Sequence, residues 1–444
     1  MPKIAFYTLG CKSNQYETEV MKSQVLDKGL EITDFHLPSD IYVINTCTVT
    51  GAADKKSRQA IRQARKRNPK SIIIVTGCYS EVAPEEIARI GEADIILRNR
   101  DKGEIFKYLS RVGQPLRLTT SEDATLRGLP TRRVRVNLMI EDGCEHFCTY
   151  CIVPFARGHV RSKPIEAIVA EAEKFVETRV KEIVLTGINL GAYGKDKTAN
   201  TRVGRHLMPT VALRGRPTRS GPTTTLPQVI QELSKIEGLL RIRLSSLEPM
   251  FITRELIDAI AEIPKVCPHL HIPLQSGDDS ILKAMGRNYT AKDFLKLIKY
   301  IRKKIKGAAI NTDIIVGFPG EGEKEFKNTV RLIKKIKFSR MHIFTFSARK
   351  GTPAEKFEGK VSEVEINKRY GILNALRIKY MRAFAKHYKR KDIDILVECR
   401  DKKSGLLDGL SPHYVRVLFA GNENLVGKIA KVRIKEIKDE SCLA

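Results

Sequence analysis

Nine cysteines stand in the 444-residue chain, and six of them fall into two sets that could do chemistry. The runs KIAFYTLGC, DIYVINTC and SIIIVTGC deliver Cys11, Cys47 and Cys78 at the tips of three strand-like apolar stretches. A polar, helix-like segment follows each. The second set is EDGCEHFCTYC, 141–151, in which Cys144, Cys148 and Cys151 have the spacing CxxxCxxC. Three thiolates can hold three corners of a [4Fe–4S] cube and leave one iron without a protein ligand. A zinc site would want a fourth Cys or His, and His146 in the same tight loop is the candidate on offer. For the first set, the competing explanation is three small buried cysteines of a core. Repetition in one topological position favours ligands of a single metal centre.

The elements around these residues must bring them together. Strands near 3–9, 40–45 and 71–76 alternate with polar helical stretches over residues 1–112, which predicts a parallel sheet. Ligands of open parallel sheets gather beyond the carboxyl ends of the strands, where all three cysteines fall. Residues 113–131 read as a polar connection. From 132 to about 347 the alternation resumes with six strands: VRVNLMI, EIVLTG, RIRLSS, HLHIPLQ, INTDIIVGF and MHIFTF. Five helical patterns lie between them, as in a complete or partial βα barrel with its chemistry at the carboxyl ends of the strands. The CxxxCxxC loop follows the first of these strands. Later strand ends carry LTGINLG (185–191), SSLEP (245–249), HIPLQSG (271–277) and VGFPGE (316–321). Their glycines would let backbone approach a ligand, and their polar groups could contact one, although ordinary turn chemistry also explains them. The segment 195–225, rich in Arg, Thr, Gly and Pro, has no clear period and reads as a long basic loop. A long amphipathic helix is expected over 361–389. After it, DIDILVEC, YVRVLFA and KIAKVRIKEI suit a small β-barrel of the kind that binds oligonucleotides.

Charge points to the partner. Lys and Arg number 79 against 51 Asp and Glu, a formal net charge of +28. A strongly basic chain with 42% hydrophobic residues is a globular protein that meets a polyanion, and nucleic acid is the first candidate. No apolar run approaches the ~18 residues of a membrane span, and the start of the chain has no signal-peptide pattern. The expectation is a cytoplasmic protein that binds no membrane, in which cysteines serve as ligands or reactive thiols rather than disulfides.

CxxxCxxC opening a six-strand βα unit resembles the radical S-adenosylmethionine (radical-SAM) superfamily. With the three strand-end cysteines included, nearly the whole chain resembles the radical-SAM methylthiotransferases. The resemblance implies an α/β fold in three parts: an N-terminal parallel α/β methylthiotransferase domain (1–112), a partial (βα)6 radical-SAM core (130–379) and a small C-terminal β-barrel of TRAM type that binds RNA (380–444). It implies two [4Fe–4S] clusters, the auxiliary one on Cys11, Cys47 and Cys78 and the radical-generating one on Cys144, Cys148 and Cys151. S-adenosylmethionine would then sit on the open iron, with Gly187, Asn189, Ser245, Gln275, Gly317 and Gly320 as its candidate contacts. Cys267, Cys399 and Cys442 match no such role and are expected to be structural or incidental.

TLGCKSNQYETE, 8–19, is similar to the GCKxNQYE signature of the members that act on threonylcarbamoyladenosine; ARGHVRSKP (156–164) and MGRNYT (285–290) fit the same group. Members acting on isopentenyladenosine usually show GCQMN followed by DSE, and those acting on a ribosomal-protein aspartate show GCxKN with VDSE. The implied reaction is methylthiolation of adenine C2 beside the anticodon of tRNA, with the anticodon stem-loop as partner and flavodoxin or ferredoxin as electron donor. The C2–H is not acidic, so no side-chain base prepares that carbon, and no side chain is assigned a catalytic role. A 5′-deoxyadenosyl radical removes the hydrogen, and the protein supplies placement. The 195–225 loop is longer than that family leads one to expect after LTGINLG.

Overall fold

The structure is a computed structural model and describes residues 2–27, 29–105, 133–196, 224–438 and 441–444. The 113–131 connection, and all of the 195–225 loop but its ends, lie outside the described residues.

The first part is a five-stranded parallel sheet of β1 (Lys3–Thr8), β2 (Glu31–Thr33), β3 (Ile41–Thr46), β4 (Ile72–Gly77) and β5 (Ile95–Ile96), in the order β2-β1-β3-β4-β5. Every residue of β3 and β4 is buried. That is why both read as continuous β-branched runs: a parallel sheet covered on both faces has no solvent side. Met21, Val25, Ile4, Val43 and Ile74 pack on one face, and Ile61, Ala64, Ile44, Ile73 and Tyr79 on the other. Helix α1 (Lys12–Asp27) leaves β1 immediately after Cys11, α2 (Gly51–Arg67) begins four residues after Cys47, and α3 (Cys78–Val82) opens on Cys78 itself.

Six further parallel strands follow. They are β6 (Arg135–Met139), β9 (Glu182–Thr186), β10 (Arg241–Leu244), β11 (His269–His271), β12 (Ala309–Val316) and β13 (Arg340–Thr345). A short antiparallel pair, β7 (Glu141–Asp142) with β8 (Arg161–Ser162), braces the segment between β6 and β9 that carries Cys144, Cys148 and Cys151. Hydrogen bonding runs β6-β9-β10 and β11-β12-β13, and the isolated bridges Ile242↔Val266 and Ser246↔His271 join the two halves. The result is a partial barrel, as the strand count predicts. The outer core is aliphatic: Leu138, Ile183, Leu185, Ile242, Leu244, Leu270, Ile310 and Ile314 meet the surrounding helices.

A 24-residue helix, Glu363–Lys386, leads from the barrel to the last part. There β14 (Asp392–Arg400), β15 (Leu407–Leu410), β16 (Arg416–Phe419), β17 (Ile429–Arg433), β18 (Glu436–Ile437) and β19 (Cys442–Leu443) form a six-stranded, mainly antiparallel sheet, order β17-β14-β15-β16-β19-β18. It curls around Ile393, Ile395, Val397, Val417 and Phe419. Cys442 is buried in this core, Cys267 is buried in the barrel, and Cys399 is exposed. The sheet packs on the amino-terminal end of the barrel. Arg241 donates to the carbonyls of Leu410 (2.6 Å) and Asp394 (3.1 Å), and Arg243 to those of Ser411 (3.1 Å) and Pro412 (3.0 Å).

Candidate metal centres and substrate cavity

Cys11, Cys47 and Cys78 leave the carboxyl ends of β1, β3 and β4, three adjacent strands. Two glycines make the convergence possible. Gly10 has φ +99°, and a Cβ there would lie 2.8 Å from Cys47 Cβ; Gly77 has φ +110°, and a Cβ would lie 2.3 Å from the Thr46 carbonyl oxygen. Any L side chain at either place would be strained and would push the strand ends apart. Asn14 ties the two loops, donating to the carbonyls of Leu9 (2.7 Å) and Thr46 (3.0 Å). Burial, and then the neighbouring thiols of Cys78 and Cys11 against an opposing backbone N–H, push the Cys47 thiol up to about 11. Burial pushes Cys144 and Cys151 up to about 12 and raises Cys148 as well. Thiolates in such places need compensating positive charge, which bound iron would supply.

The spacing of the sulfurs separates the alternatives. Among the described residues, the one group of three potential ligands with all atoms within 4.8 Å of one another is His271, Asp313 and His342; neither cysteine triplet is that tight. Thiolates on one tetrahedral zinc, each ~2.3 Å from the metal, would stand about 4 Å apart. Neither triplet is gathered around a point as a single zinc ion would hold it, and three thiols with no fourth protein ligand suit an iron–sulfur cluster. All nine cysteines are free thiols.

Each candidate cofactor contact has a definite place. Gly187 abuts the Glu141 carboxylate, which accepts from the Asn189 N–H at 2.8 Å. The Asn189 Oδ1, Ser245 Oγ and Glu141 Oε1 atoms are buried without a hydrogen-bond partner, which fits a polar ligand at the ends of β6, β9 and β10. Gln275 is buried with φ +62°. Gly317 backs onto Ile366 of the long helix, whereas Gly320 is exposed and donates its N–H to the Gly359 carbonyl at 2.9 Å. Phe318, next to Gly317, stacks edge-on against Tyr150 of the cysteine loop, ring centroids 6.3 Å apart.

A cavity of about 200 Å³ is lined by Val49 and Thr50, just beyond Cys47, and by Tyr150, Cys151 and Ile152 of the other triplet. Gln275, Asp313, Phe344 and Ser347 complete its wall. Cys151 of the second set thus lines this space, and the segment that follows Cys47 of the first set forms part of its wall. Several side-chain links join the two parts, two of them through arginines. Arg157 binds Asn14 Oδ1 (2.5 Å) and the carboxylate of Glu17, so the ARGHVRSKP and GCKSNQYE segments meet. Arg349 holds Asp54 (2.5 Å) and Thr48 (2.8 Å).

The barrel lumen is polar, which the sequence reading passed over. Alternation turns Asn137, Val184, Arg243, His271, Asp313 and His342 inward, opposite the aliphatic outer set. Asp313 Oδ1 pairs with His271 Nε2 (3.0 Å) and His342 Nδ1 (3.1 Å). Burial raises the Asp313 carboxyl, but the hydrogen bonds from the two imidazoles outweigh it and hold it well below the usual range. Arg243 and Glu182 are fully buried and pair at 2.6 Å. The signal was present in RIR, HLH and NTD: a strand buried on both faces should read apolar throughout, and these alternate with charge. A second, larger cavity of about 550 Å³ lies between α1, β6 and the terminal sheet; Lys12, Arg135, Asn137, Arg243, Glu398 and Tyr414 are among its lining. Burial, and then the like charges of Arg135 and Arg243, push the Lys12 ammonium down to about 8.

Comparison with known proteins agrees with this geometry. Residues 139–333 match the Radical SAM superfamily, and residues 3–98 match a family described as uncharacterized protein family UPF0004. The chain is 38% identical to the threonylcarbamoyladenosine tRNA methylthiotransferase MtaB of Bacillus subtilis, over 98% of this chain and 94% of the relative. It is 37% identical to the MtaB of Aquifex aeolicus (97% and 100%) and 34% identical to the tRNA-2-methylthio-N(6)-dimethylallyladenosine synthase of Carboxydothermus hydrogenoformans (97% and 96%). In fold it is similar to the radical S-adenosylmethionine methyltransferase TsrM of Kitasatospora setae, with a TM-score of 0.51 at 13% identity over 78% of this chain and 73% of that one. With relatives of this identity along almost its entire length, the chain belongs to the radical-SAM methylthiotransferase family.

Proposed function

We propose that the protein methylthiolates C2 of N6-threonylcarbamoyladenosine beside the tRNA anticodon, with two [4Fe–4S] clusters and S-adenosylmethionine as cofactors. The observation that carries this reading is the cavity walled by Cys151 of one triplet and by Val49 and Thr50, which follow Cys47 of the other. A reaction that joins a carbon radical to delivered sulfur needs its two metal centres to face one substrate. The threonylcarbamoyl substrate is favoured by the GCKSNQYE segment, of which Lys12, Gln15 and Tyr16 line the larger cavity, and by the two MtaB relatives, the more similar of those named above.

Cys11, Cys47 and Cys78 would hold the auxiliary cluster, and Cys144, Cys148 and Cys151 the cluster whose open iron takes S-adenosylmethionine. Asn189, Ser245 and Gln275 would contact that cofactor, with Gly187 giving it room beside Glu141, while Gly317 and Gly320 shape the turn after β12. When bound, the clusters and S-adenosylmethionine supply the radical, the sulfur and the methyl group. The chain's part is to orient the base and exclude water. Asp313, fixed by two imidazoles, offers a rigid acceptor on the cavity wall.

The division into an N-terminal methylthiotransferase domain (1–112), a radical-SAM core (130–379) and a TRAM-type RNA-binding domain (380–444) is part of the same reading. The terminal sheet would grip the anticodon stem while the loop splays its base inward. A flavodoxin or ferredoxin would supply electrons, and the cytoplasm would be the place of work. Among the described residues no helix is long and apolar enough to cross a membrane.

The test is anaerobic reconstitution with anticodon stem-loops. Wild type should convert threonylcarbamoyladenosine to its 2-methylthio derivative, seen by mass spectrometry. Replacing Cys11, Cys47 and Cys78 with Ala should leave 5′-deoxyadenosine formation and abolish product. Replacing Cys144, Cys148 and Cys151 should abolish both. Product from the first variant would show that sulfur does not pass through the N-terminal domain.

A further inference from the structure

The larger cavity carries more positive charge than it neutralises. Lys12, Arg133, Arg135 and Arg243 line it against two carboxylates, Glu19 and Glu398. Arg243 is saturated by Glu182 and two carbonyls of the terminal sheet. Arg135 pairs with Glu398 at 3.2 Å, and Glu19 is engaged by Lys22 at 3.0 Å. Lys12 differs: among the described residues its ammonium has no hydrogen-bond or ion-pair partner, although the residue is half-buried. A partly desolvated cation without a counter-ion is costly, and a cavity wall is where a ligand can provide one. Lys12 also follows Cys11 directly, and Asp313 of the smaller cavity lies within its electrostatic range. Lys12 thus lines the larger cavity while its chain neighbour Cys11 belongs to the auxiliary triplet.

We infer that Lys12 is the counter-ion for a carboxylate carried by the substituent on the substrate base, and that the larger cavity seats that substituent. The inference rests on the proposed function, because the threonylcarbamoyl group ends in a carboxylate and a hydroxyl. A volume of about 550 Å³ has ample room for such a group, and Asn137 and Tyr414 offer polar partners on its walls. The wall built from Lys12 and the three arginines is wrong for a hydrocarbon substituent. Seating an alkenyl chain there would leave Lys12 desolvated and unpaired, which is how a polar site rejects an apolar analogue. Lys12 thus selects the substrate; it moves no atom in the reaction.

The experiment uses reconstituted full-length enzyme and three anticodon stem-loops: one with threonylcarbamoyladenosine, one with its neutral carboxamide counterpart, and one with isopentenyladenosine. Wild type should favour the carboxylate over the carboxamide by about 10- to 100-fold in kcat/KM, the range of one charge-assisted hydrogen bond. This comparison needs no variant and so does not depend on a mutant folding. Lys12→Gln should bring the two to near parity, mostly through KM, with iron content unchanged; Lys12→Arg should keep part of the preference. Fluorescence anisotropy should give the same order of Kd. Equal turnover of carboxylate and carboxamide by active wild type overturns this inference and leaves the proposed function standing. Wild type inactive on threonylcarbamoyladenosine sinks both. A uniform loss of affinity for all three stem-loops in Lys12→Gln, with the preference retained, would place Lys12 on the phosphate backbone and also overturns the inference.

Discussion

Replacing Arg157 with Met should weaken the hold of residues 2–105 on the barrel, while Arg349 on Asp54 and Tyr16 on Glu171 remain. The Arg157 side chain is 1% exposed and pairs with Glu17, 13% exposed, and with Asp142 at 3.3 Å. Its other terminal nitrogen binds Asn14 Oδ1. Removing one partner of a buried pair costs ~3–5 kcal/mol, because the other charge is left without compensation. Here Lys102 remains on Glu17 at 2.5 Å. The loss should therefore fall at the low end, about 3 kcal/mol. Urea unfolding of anaerobic protein by circular dichroism, with Glu17→Gln and the double variant completing a cycle, measures it. The double variant should lose less than the sum of the singles, since Glu17→Gln removes the charge that Arg157→Met strands. The pH dependence has a definite sign. Burial raises the Glu17 carboxyl, but Lys102 and Arg157 outweigh burial and the net shift is downward. A carboxyl lowered in the folded state stabilises it above the unfolded pKa, and that stabilisation is lost as pH falls through the folded value. The gap between wild type and variant should be complete at neutral pH and close below about pH 4. A loss under about 1 kcal/mol at neutral pH, the scale of a surface pair, would refute the reasoning.

Two further outcomes follow from the same geometry. Gly77→Ala puts a Cβ 2.3 Å from the Thr46 carbonyl at φ +110°, so it should cost about 2–4 kcal/mol and deplete the iron of the auxiliary site alone; Gly371→Ala, with open space around it in the long helix, should leave both stability and iron intact. Lys428→Glu with Lys431→Glu, both exposed on the terminal sheet, should weaken tRNA binding and reduce the slope of log K against log salt by about 1–2, whereas unchanged binding would remove that face from the RNA interface.

The order of strands and helices was legible in the sequence because parallel strands covered on both faces must be apolar runs. SIIIVTG is buried throughout, and the structure places β4 within a residue of the expected bounds. The six barrel strands were legible from their regular alternation with five helical patterns, and both cysteine sets from their place at strand ends. Two short strands of the terminal sheet, Leu407–Leu410 and Cys442–Leu443, were not anticipated. Segments of two to four residues carry too little periodicity to read, and it is pairing with neighbours that makes them strands. What chain order could not reveal is which residues meet. Arg157 lies 140 residues from Glu17, and Lys12 faces a wall built from β6, β10 and the terminal sheet. A lysine in a polar helix reads as solvated, and only the packing of α1 against β6, β10 and the terminal sheet shows that this one is half-buried with no anion paired to it among the described residues. The sequence determined the cofactor chemistry, because thiol spacing is local. Tertiary structure alone decided where the substrate's charge would be met, because burial and pairing are properties of the assembled surfaces.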